Sequence, residues 1–345
     1  MLVVCYAGSS VPVSVAGNKG GTIMRRLALC LLVLCAALPA AAQPAWPAGR
    51  TLRLVITYPP GGTTDFVARL FARHLTEQLA VPVVVENRPG GGGVVGWTHL
   101  VRSPADGTSF LLTDNSLATA PPLHAQLGFD IRADLTPISL LVDYPTVFVV
   151  PAASPHQTLS GLIEASRGRP ADSTFYGSMG AGSSPHLYTE HLQEIAGIRL
   201  THVPYRGMGP AFVDLLGGRI GLLIAAPPTV LGAVREGRAR AIAIGTTAGR
   251  IPALPDVPTA REQGVEFTYS FWYGLLAPRG LDPAITARMQ AEVARFLATP
   301  AVRETFAQQG GTPVGGDGAA LTQVMQAELT RWTEVIRARG ITLQD

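Results

Sequence analysis

The chain has 345 residues, 27 lysines and arginines against 24 acidic residues, and three cysteines. Cys5, Cys30, Cys35 and the single lysine, Lys19, all precede residue 36. The remainder therefore holds no disulfide framework, thiolate nucleophile, Schiff-base lysine or Walker-type phosphate loop. Without Lys19, Arg25 and Arg26 the count is 24 basic against 24 acidic residues, which offers no basic surface to nucleic acid.

The N-terminal stretch reads as an export signal. Met24-Arg25-Arg26 is a positive start, residues 27–38 are an apolar run, and Ala40-Ala41-Ala42 is a small-residue cleavage pattern. A signal peptide over 24–42 and a mature start near Gln43 are expected, with residues 1–23 an artefact of start-site choice. The run is too short to span a bilayer. Leucine precedes both Cys30 and Cys35, so no lipid anchor is expected. The expectation is a periplasmic protein without membrane insertion of the mature chain.

Roughly 300 residues remain, room for two domains. Strand patterns over 52–57, 83–85, 110–113, 147–150, 174–176, 202–204, 220–224, 241–244 and 272–276 alternate with helix patterns near 65–79, 94–101, 159–167, 185–195, 209–216 and 229–236. This alternation predicts an α/β architecture with ligand sites at the C-terminal ends of strands. The C-terminal third is helical, with one apolar stripe through Ile285, Met289, Val293, Phe296 and Leu297. A second runs through Leu321, Val324, Met325, Leu329, Trp332, Val335 and Ile336. Domain changes near Pro151 and over 260–272 predict a discontinuous lobe 1 (43–150 plus 268–345), a lobe 2 (151–267) and a cleft between them.

The first strand feeds directly into Tyr58-Pro59-Pro60-Gly61-Gly62-Thr63-Thr64-Asp65. The helix that follows has Phe66, Val67, Leu70, Phe71, Leu75 and Leu79 on one face. Two glycines and two hydroxyls thus sit on a helix N-terminus, where unpaired N–H groups and the positive dipole end gather an anion. Thr63 or Thr64 is the expected N-cap. A small acid held by backbone and hydroxyls is the ligand this geometry suits. Gly177-Ser178-Met179-Gly180-Ala181-Gly182-Ser183-Ser184-Pro185-His186 is a second turn of the same kind, with Ser183 or Ser184 the expected cap. Asn115, in Asp114-Asn115-Ser116, is polar at another strand end. Tyr205 and Arg206 end a further strand, where Arg206 could counter a carboxylate. Phe271-Trp272-Tyr273 could line a pocket, with Trp272 the candidate contact, or pack in the core or at a hinge.

Catalytic patterns are poor. Gly91, Gly93 and Gly96 match the dinucleotide fingerprint literally, but four residues separate them from their strand and the unit is the second, not the first. No serine has glycine two positions away on both sides in the second turn, as a nucleophile elbow requires. His186 beside Ser184 is read as a polar wall residue, not half of a dyad. The seven histidines show no zinc spacing. No catalytic residue, metal or cofactor is expected, and the competing class is an enzyme acting on a carboxylated substrate in the same cleft.

Taken together, these motifs resemble the tripartite tricarboxylate transporter substrate-binding proteins, also called Bug receptors, over nearly all of 50–345. The resemblance is carried by the first turn, by Val84-Val85-Glu86-Asn87-Arg88-Pro89-Gly90 and by Pro104-Ala105-Asp106-Gly107-Thr108. Gly182-Ser183-Ser184-Pro185-His186, His202-Val203-Pro204-Tyr205-Arg206-Gly207, Leu254-Pro255-Asp256-Val257-Pro258-Thr259 and Trp272-Tyr273-Gly274-Leu275-Leu276-Ala277-Pro278 extend it. It implies a two-lobed periplasmic-binding-protein fold of the Venus-flytrap, type II-like kind, and a small carboxylate ligand between the lobes. A membrane permease or sensor would be the partner of such a monomer. It implies that Tyr58, Gly62, Thr63 and Thr64 grip the ligand from one lobe and Ser183 and Ser184 from the other. The chain departs from the family after strand 220–224, where Ala225-Ala226-Pro227-Pro228 replaces an acidic or amide residue. A ligand lacking a free amine is therefore expected.

Overall fold

The computed structural model describes residues 46–124 and 127–342; the expected leader lies outside the described residues. The first elements are β1 (Leu52–Ile56), α1 (Thr63–Leu79), β2 (Val83–Asn87), α2 (Val94–Val101), β3 (Ser109–Asp114) and the short α3 (Ser116–Thr119). β1 pairs in parallel with both β2 and β3, the arrangement expected when helices connect consecutive strands. Val67, Phe71 and Leu75 bury the inner stripe of α1, and Ala80, in the left-handed region at φ 52°, ends it. Full burial of Phe71 contributes about 2–3 kcal/mol, and Phe71→Ala would cost about 3–5 kcal/mol.

β4 (Leu135–Pro151) is shared by two sheets. Its first part pairs antiparallel with β9 (Ser270–Pro278) as far as Pro145, and β9 in turn pairs with β3. From Thr146 onward it pairs instead with β7 (Leu222–Ala225) and β8 (Ala239–Gly245). The second sheet is completed by β5 (Phe175–Ser178), parallel to both β7 and β6 (Thr201–Pro204). Its helices are α4 (Leu159–Ser166), α5 (Ser184–Ala196), α6 (Met208–Leu216) and α7 (Pro227–Arg235). The chain returns to the first sheet between β8 and β9.

The tail is α8 (Pro283–Ala298), α9 (Pro300–Gln308), β10 (Thr312–Pro313) and α10 (Gly318–Arg339). Its two apolar stripes are inward as expected, with Met289, Val293, Phe296, Leu321 and Trp332 buried. The α8 stripe also buries Glu292, which pairs with Arg288 (2.8 Å) and Arg295 (2.7 Å).

Each expected strand and helix is present with ends shifted by a few residues. The residues before Val147 in β4 were not among the expected strands, and Pro137 and Pro145 are unusual in a central strand. Pro137 is tolerated because the register with β9 shifts between Pro137 and Ser139, a bulge that removes the need for its missing N–H.

Candidate functional site

The first turn is built from below. Asp65 in α1 accepts hydrogen bonds from Gly61 N (3.3 Å), from Arg69 Nε and Nη2 (2.9 and 2.8 Å), and more weakly from Asn87 Nδ2 (3.4 Å). Asn87 Nδ2 also donates to Tyr58 O (2.8 Å), which fixes both ends of the turn. Burial opposes ionisation of Asp65, but the hydrogen bonds from Arg69 and Asn87 prevail and hold its carboxyl below the usual range. Gly61 is at φ 97°, a conformation that favours glycine.

The expected cap is corrected. Gly62, not a threonine, is the N-cap of α1, and no side chain caps the helix. Thr63 and Thr64 lie within the first turn, and neither side chain is used to satisfy its N–H groups. Thr63 Oγ1 meets Thr229 Oγ1 at 3.0 Å, and Thr64 Oγ1 faces Asp114 Oδ2 at 3.5 Å. These hydroxyls stand beside N–H groups that a helix cannot satisfy internally.

The second turn is fastened differently. Ser183 is the N-cap of α5 by position, but its Oγ donates to Gly180 O (2.6 Å) and does not cap the helix. Ser178 Oγ accepts from Gly180 N (3.0 Å) and bonds His202 Nε2 (2.7 Å). Ser184 Oγ donates to Asn115 Oδ1 (2.8 Å) and lies 2.9 Å from Ser116 Oγ, so it joins the second sheet's turn to the strand end of the first sheet. Asn115 Nδ2 completes its set with Tyr188 OH and Ser270 O. Thr119 Oγ1 donates to Gly182 O (3.0 Å) across the same junction.

His186 Nδ1 accepts from Gly182 N (3.1 Å), which shapes the turn. Burial, then the neighbouring His202, push its pKa down to about 3, so the ring is neutral. Nδ1 is therefore an acceptor and the proton is on Nε2. Ser184 and His186 form no hydrogen bond to each other in this arrangement.

Between the sheets is a cavity of about 10 Å³, room for one water. Tyr58, Gly62, Thr63, Thr64, Phe271 and Tyr273 line it from the first sheet, and Met179, Met208, Ala226 and Thr229 from the second. Of the residues singled out from sequence, Tyr58, Gly62, Thr63, Thr64 and Ala226 are thus brought together. Asn115, Gly182, Ser183, Ser184 and His186 form the junction beside it. Pro59 is half-buried, with Gly207 so close that a Cβ there would stand 2.7 Å from Pro59 Cδ. Gly61 is exposed.

Three residues are elsewhere. Tyr205 and Arg206 line a separate outer depression of about 350 Å³ with Gly91, Gly92 and Gly180. Tyr205 OH donates to Asp214 Oδ2 (2.7 Å) there. Trp272 is buried on the other face of β9, among Trp97, Leu276, Leu321 and Met325. Side chains alternate along a strand, so its neighbours Phe271 and Tyr273 face the cavity and Trp272 cannot.

Sequence reasoning passed over Met179, Met208 and Thr229. Their signal was position alone: each follows a strand of the second sheet within a few residues. It also passed over Asp114, fully buried at the end of β3 with Oδ1 accepting from Ser116 N (2.9 Å). Burial raises its pKa to about 6. Tyr58 and Tyr273 are pushed well above the usual phenol range, by burial first and then by the Asp114 charge.

The glycines of the fingerprint-like run serve packing. A Cβ on Gly92 (φ 63°) would stand 2.7 Å from Ala181 O, one on Gly93 2.4 Å from the Trp97 ring, and one on Gly96 2.9 Å from Thr57 Cγ2. Gly92 therefore lets the second turn approach closely. Among the described residues no cluster of histidine and acidic side chains has the geometry to hold a metal, and no helix is long and apolar enough to cross a membrane.

Comparison with known proteins fits this geometry. Residues 67–341 match TctC, the tripartite tricarboxylate transporter family receptor. The protein BugT of Bordetella pertussis is 38% identical over 299 residues, covering 86% of this chain and 91% of BugT. Among solved structures, R. palustris Rpa4515 with adipate superposes with a TM-score of 0.82 at 32% identity, covering 86% of this chain and 99% of that one. MatC from Rhodopseudomonas palustris with bound malate does so with a TM-score of 0.79 at 30% identity, covering 83% and 99%. The chain belongs to the tripartite tricarboxylate transporter family receptors, periplasmic solute-binding proteins with a two-lobed α/β fold.

Proposed function

We propose that this receptor captures a small plain mono- or dicarboxylate between its two sheets and delivers it unchanged to a membrane permease or sensor. The observation that carries this reading is the cavity at the uncapped N-terminus of α1, walled by strand ends of both sheets. The adipate and malate bound to its structural relatives support the ligand class.

Tyr58, Gly62, Thr63, Thr64 and Ala226 touch the ligand. Pro59 and Gly61 set the turn, and Asn115, Gly182, Ser183, Ser184 and His186 close the wall behind it. Tyr205 and Arg206 guide the anion from the outer depression, and Trp272 supports β9 from the opposite face. Ala226 offers a methyl where an ammonium would need an acceptor, which favours ligands without an amine.

The lobes of this reading are 43–150 plus 268–345, and 151–267. A cavity the size of one water is too small for a dicarboxylate, so capture requires the lobes to part and close again around the ligand. The ligand then stabilises the closed form by bridging both. The protein acts as an exported periplasmic monomer.

The test is a thermal-shift screen of protein unfolded and refolded to strip any ligand carried along. The panel holds mono-, di- and tricarboxylates, amino acids and nicotinamide cofactors. A plain carboxylate at a hundredfold excess over its Kd is expected to raise the melting temperature by about 3–6 °C. A shift from aspartate or glutamate with none from plain acids would refute the amine-free ligand. A shift from a nicotinamide cofactor alone would refute the receptor.

A further inference from the structure

Asp114 is a carboxylate buried without a cation. It is fully buried at the C-terminal end of β3, and none of the ion pairs among the described residues includes it. It stands directly behind the cavity wall. Thr64 Oγ1, which lines the cavity, is 3.5 Å from Asp114 Oδ2. Tyr273, another lining residue, is its register partner on β9.

The groups facing Asp114 are neutral or weakly donating. They are Tyr58 and Thr64 from the β1–α1 turn, Ser116 from α3 and Tyr273 from β9. The acid next along that turn, Asp65, is committed to Arg69. A second carboxylate entering the cavity would meet a like charge through one layer of side chains. Two carboxylates in a shared low-dielectric site do not both stay ionised.

We propose that carboxylate capture by this receptor is coupled to uptake of one proton by Asp114. The inference rests on the carboxylate-receptor reading above. The ligand enters as its anion, one proton is supplied by the acid form of the buffer, which becomes its conjugate base, and Asp114 changes from carboxylate to carboxylic acid. No bond of the ligand forms or breaks. The neutral acid keeps the Ser116 N–H on one oxygen and can donate its O–H towards Thr64 Oγ1, so nothing in the wall has to move. Burial already raises its pKa to about 6, so the ligand has to supply only the rest of the rise that holds the proton at neutral pH. The consequence is a receptor that binds more tightly as the surroundings acidify.

The experiment is titration calorimetry with succinate, malate and adipate between pH 7 and 8.5, where both carboxyls of such acids are almost fully ionised. Each is run in two buffers of different ionisation heat. Uptake approaching one proton per ligand is expected at pH 7.5. The Kd should weaken by up to about tenfold per pH unit above pH 7, since binding is then linked to one proton. Asp114→Asn should still bind, lose the proton uptake and show a Kd independent of pH. A flat Kd with no proton uptake in the unaltered protein overturns the coupling and leaves the receptor reading intact. Uptake that persists in Asp114→Asn overturns the assignment to Asp114. If none of the three acids binds at any pH, the dicarboxylate part of the receptor reading falls and this inference with it.

Discussion

Two strand-to-helix turns of this chain have the same vocabulary and are put to different uses. Each runs from a strand through glycines and paired hydroxyls into a helix. In the second turn, Ser178, Ser183 and Ser184 all hydrogen-bond within the turn or across to His202, Asn115 and Ser116. In the first, the turn is tied from below by Asp65, and Thr63 and Thr64 meet groups at or just behind the cavity, Thr229, Tyr273 and Asp114. One turn is a fastening between the sheets and the other, on the reading proposed above, is a binding face. Hydroxyl content alone does not separate these roles. What separates them is where the partners of the hydroxyls lie.

The largest effect should come from the glycine run between β2 and α2, where it meets the second turn. Gly92→Val places a side chain at φ 63° with its Cβ 2.7 Å from Ala181 O. Strain of about 1–2 kcal/mol and a comparable clash would oppose the closed form. Carboxylate affinity by calorimetry should fall at least about tenfold. Unchanged affinity would mean that closure does not bring these turns together.

A smaller and more selective effect separates the hydroxyls. Thr63→Ala should weaken carboxylate binding about tenfold, as loss of a hydrogen bond to a charged ligand does, and change urea stability by less than about 1 kcal/mol. Ser184→Ala should cost about 1–3 kcal/mol of stability, because Asn115 Oδ1 is left buried without its donor. Equal losses of affinity at unchanged stability in both variants would erase the distinction between the turns.

Acid should act on the second turn through His186. Its pKa in the folded protein is lowered to about 3, so the unfolded chain binds the proton more readily. Its contribution to stability is present above about pH 6.5 and declines as the pH falls from there towards 3. Asp114 has the opposite sign: its raised pKa favours the folded state as the pH falls from about 6 towards 4. In urea titrations at pH 4 to 7, His186→Asn should flatten the acid loss that remains. A slope unchanged by that variant would contradict the neutral, Nδ1-accepting ring. The smallest effect is expected from Trp272→Phe. It removes a buried Nε1–H that lacks a partner and should leave affinity within about twofold, the stability cost being within about 1–2 kcal/mol.

Both turns were legible in the sequence because glycine, proline and hydroxyls punctuate a chain at strand ends. The roles of individual residues were less so. Trp272 was chosen from an aromatic triplet whose parity depends on the register of β9, and register is set by pairing with β3 and β4 across more than a hundred residues of sequence. Arg206 is charged and near the site in sequence, yet it lines the outer depression. The first part of β4 was hidden by its prolines, which a bulge accommodates. Asp114 read as one more polar residue at a strand end, since burial without a counterion is a tertiary property.

The most direct measurement is a crystal structure of the refolded protein with the carboxylate that stabilises it most. The ligand carboxylate should sit on the first turn of α1, within hydrogen-bond reach of Thr63 or Thr64, in a cavity enlarged from its present size and still lined by Met179, Ala226 and Tyr273. A carboxylate held by Ser183 and Ser184 without contact to the first turn, or by Arg206 in the outer depression, would contradict the account.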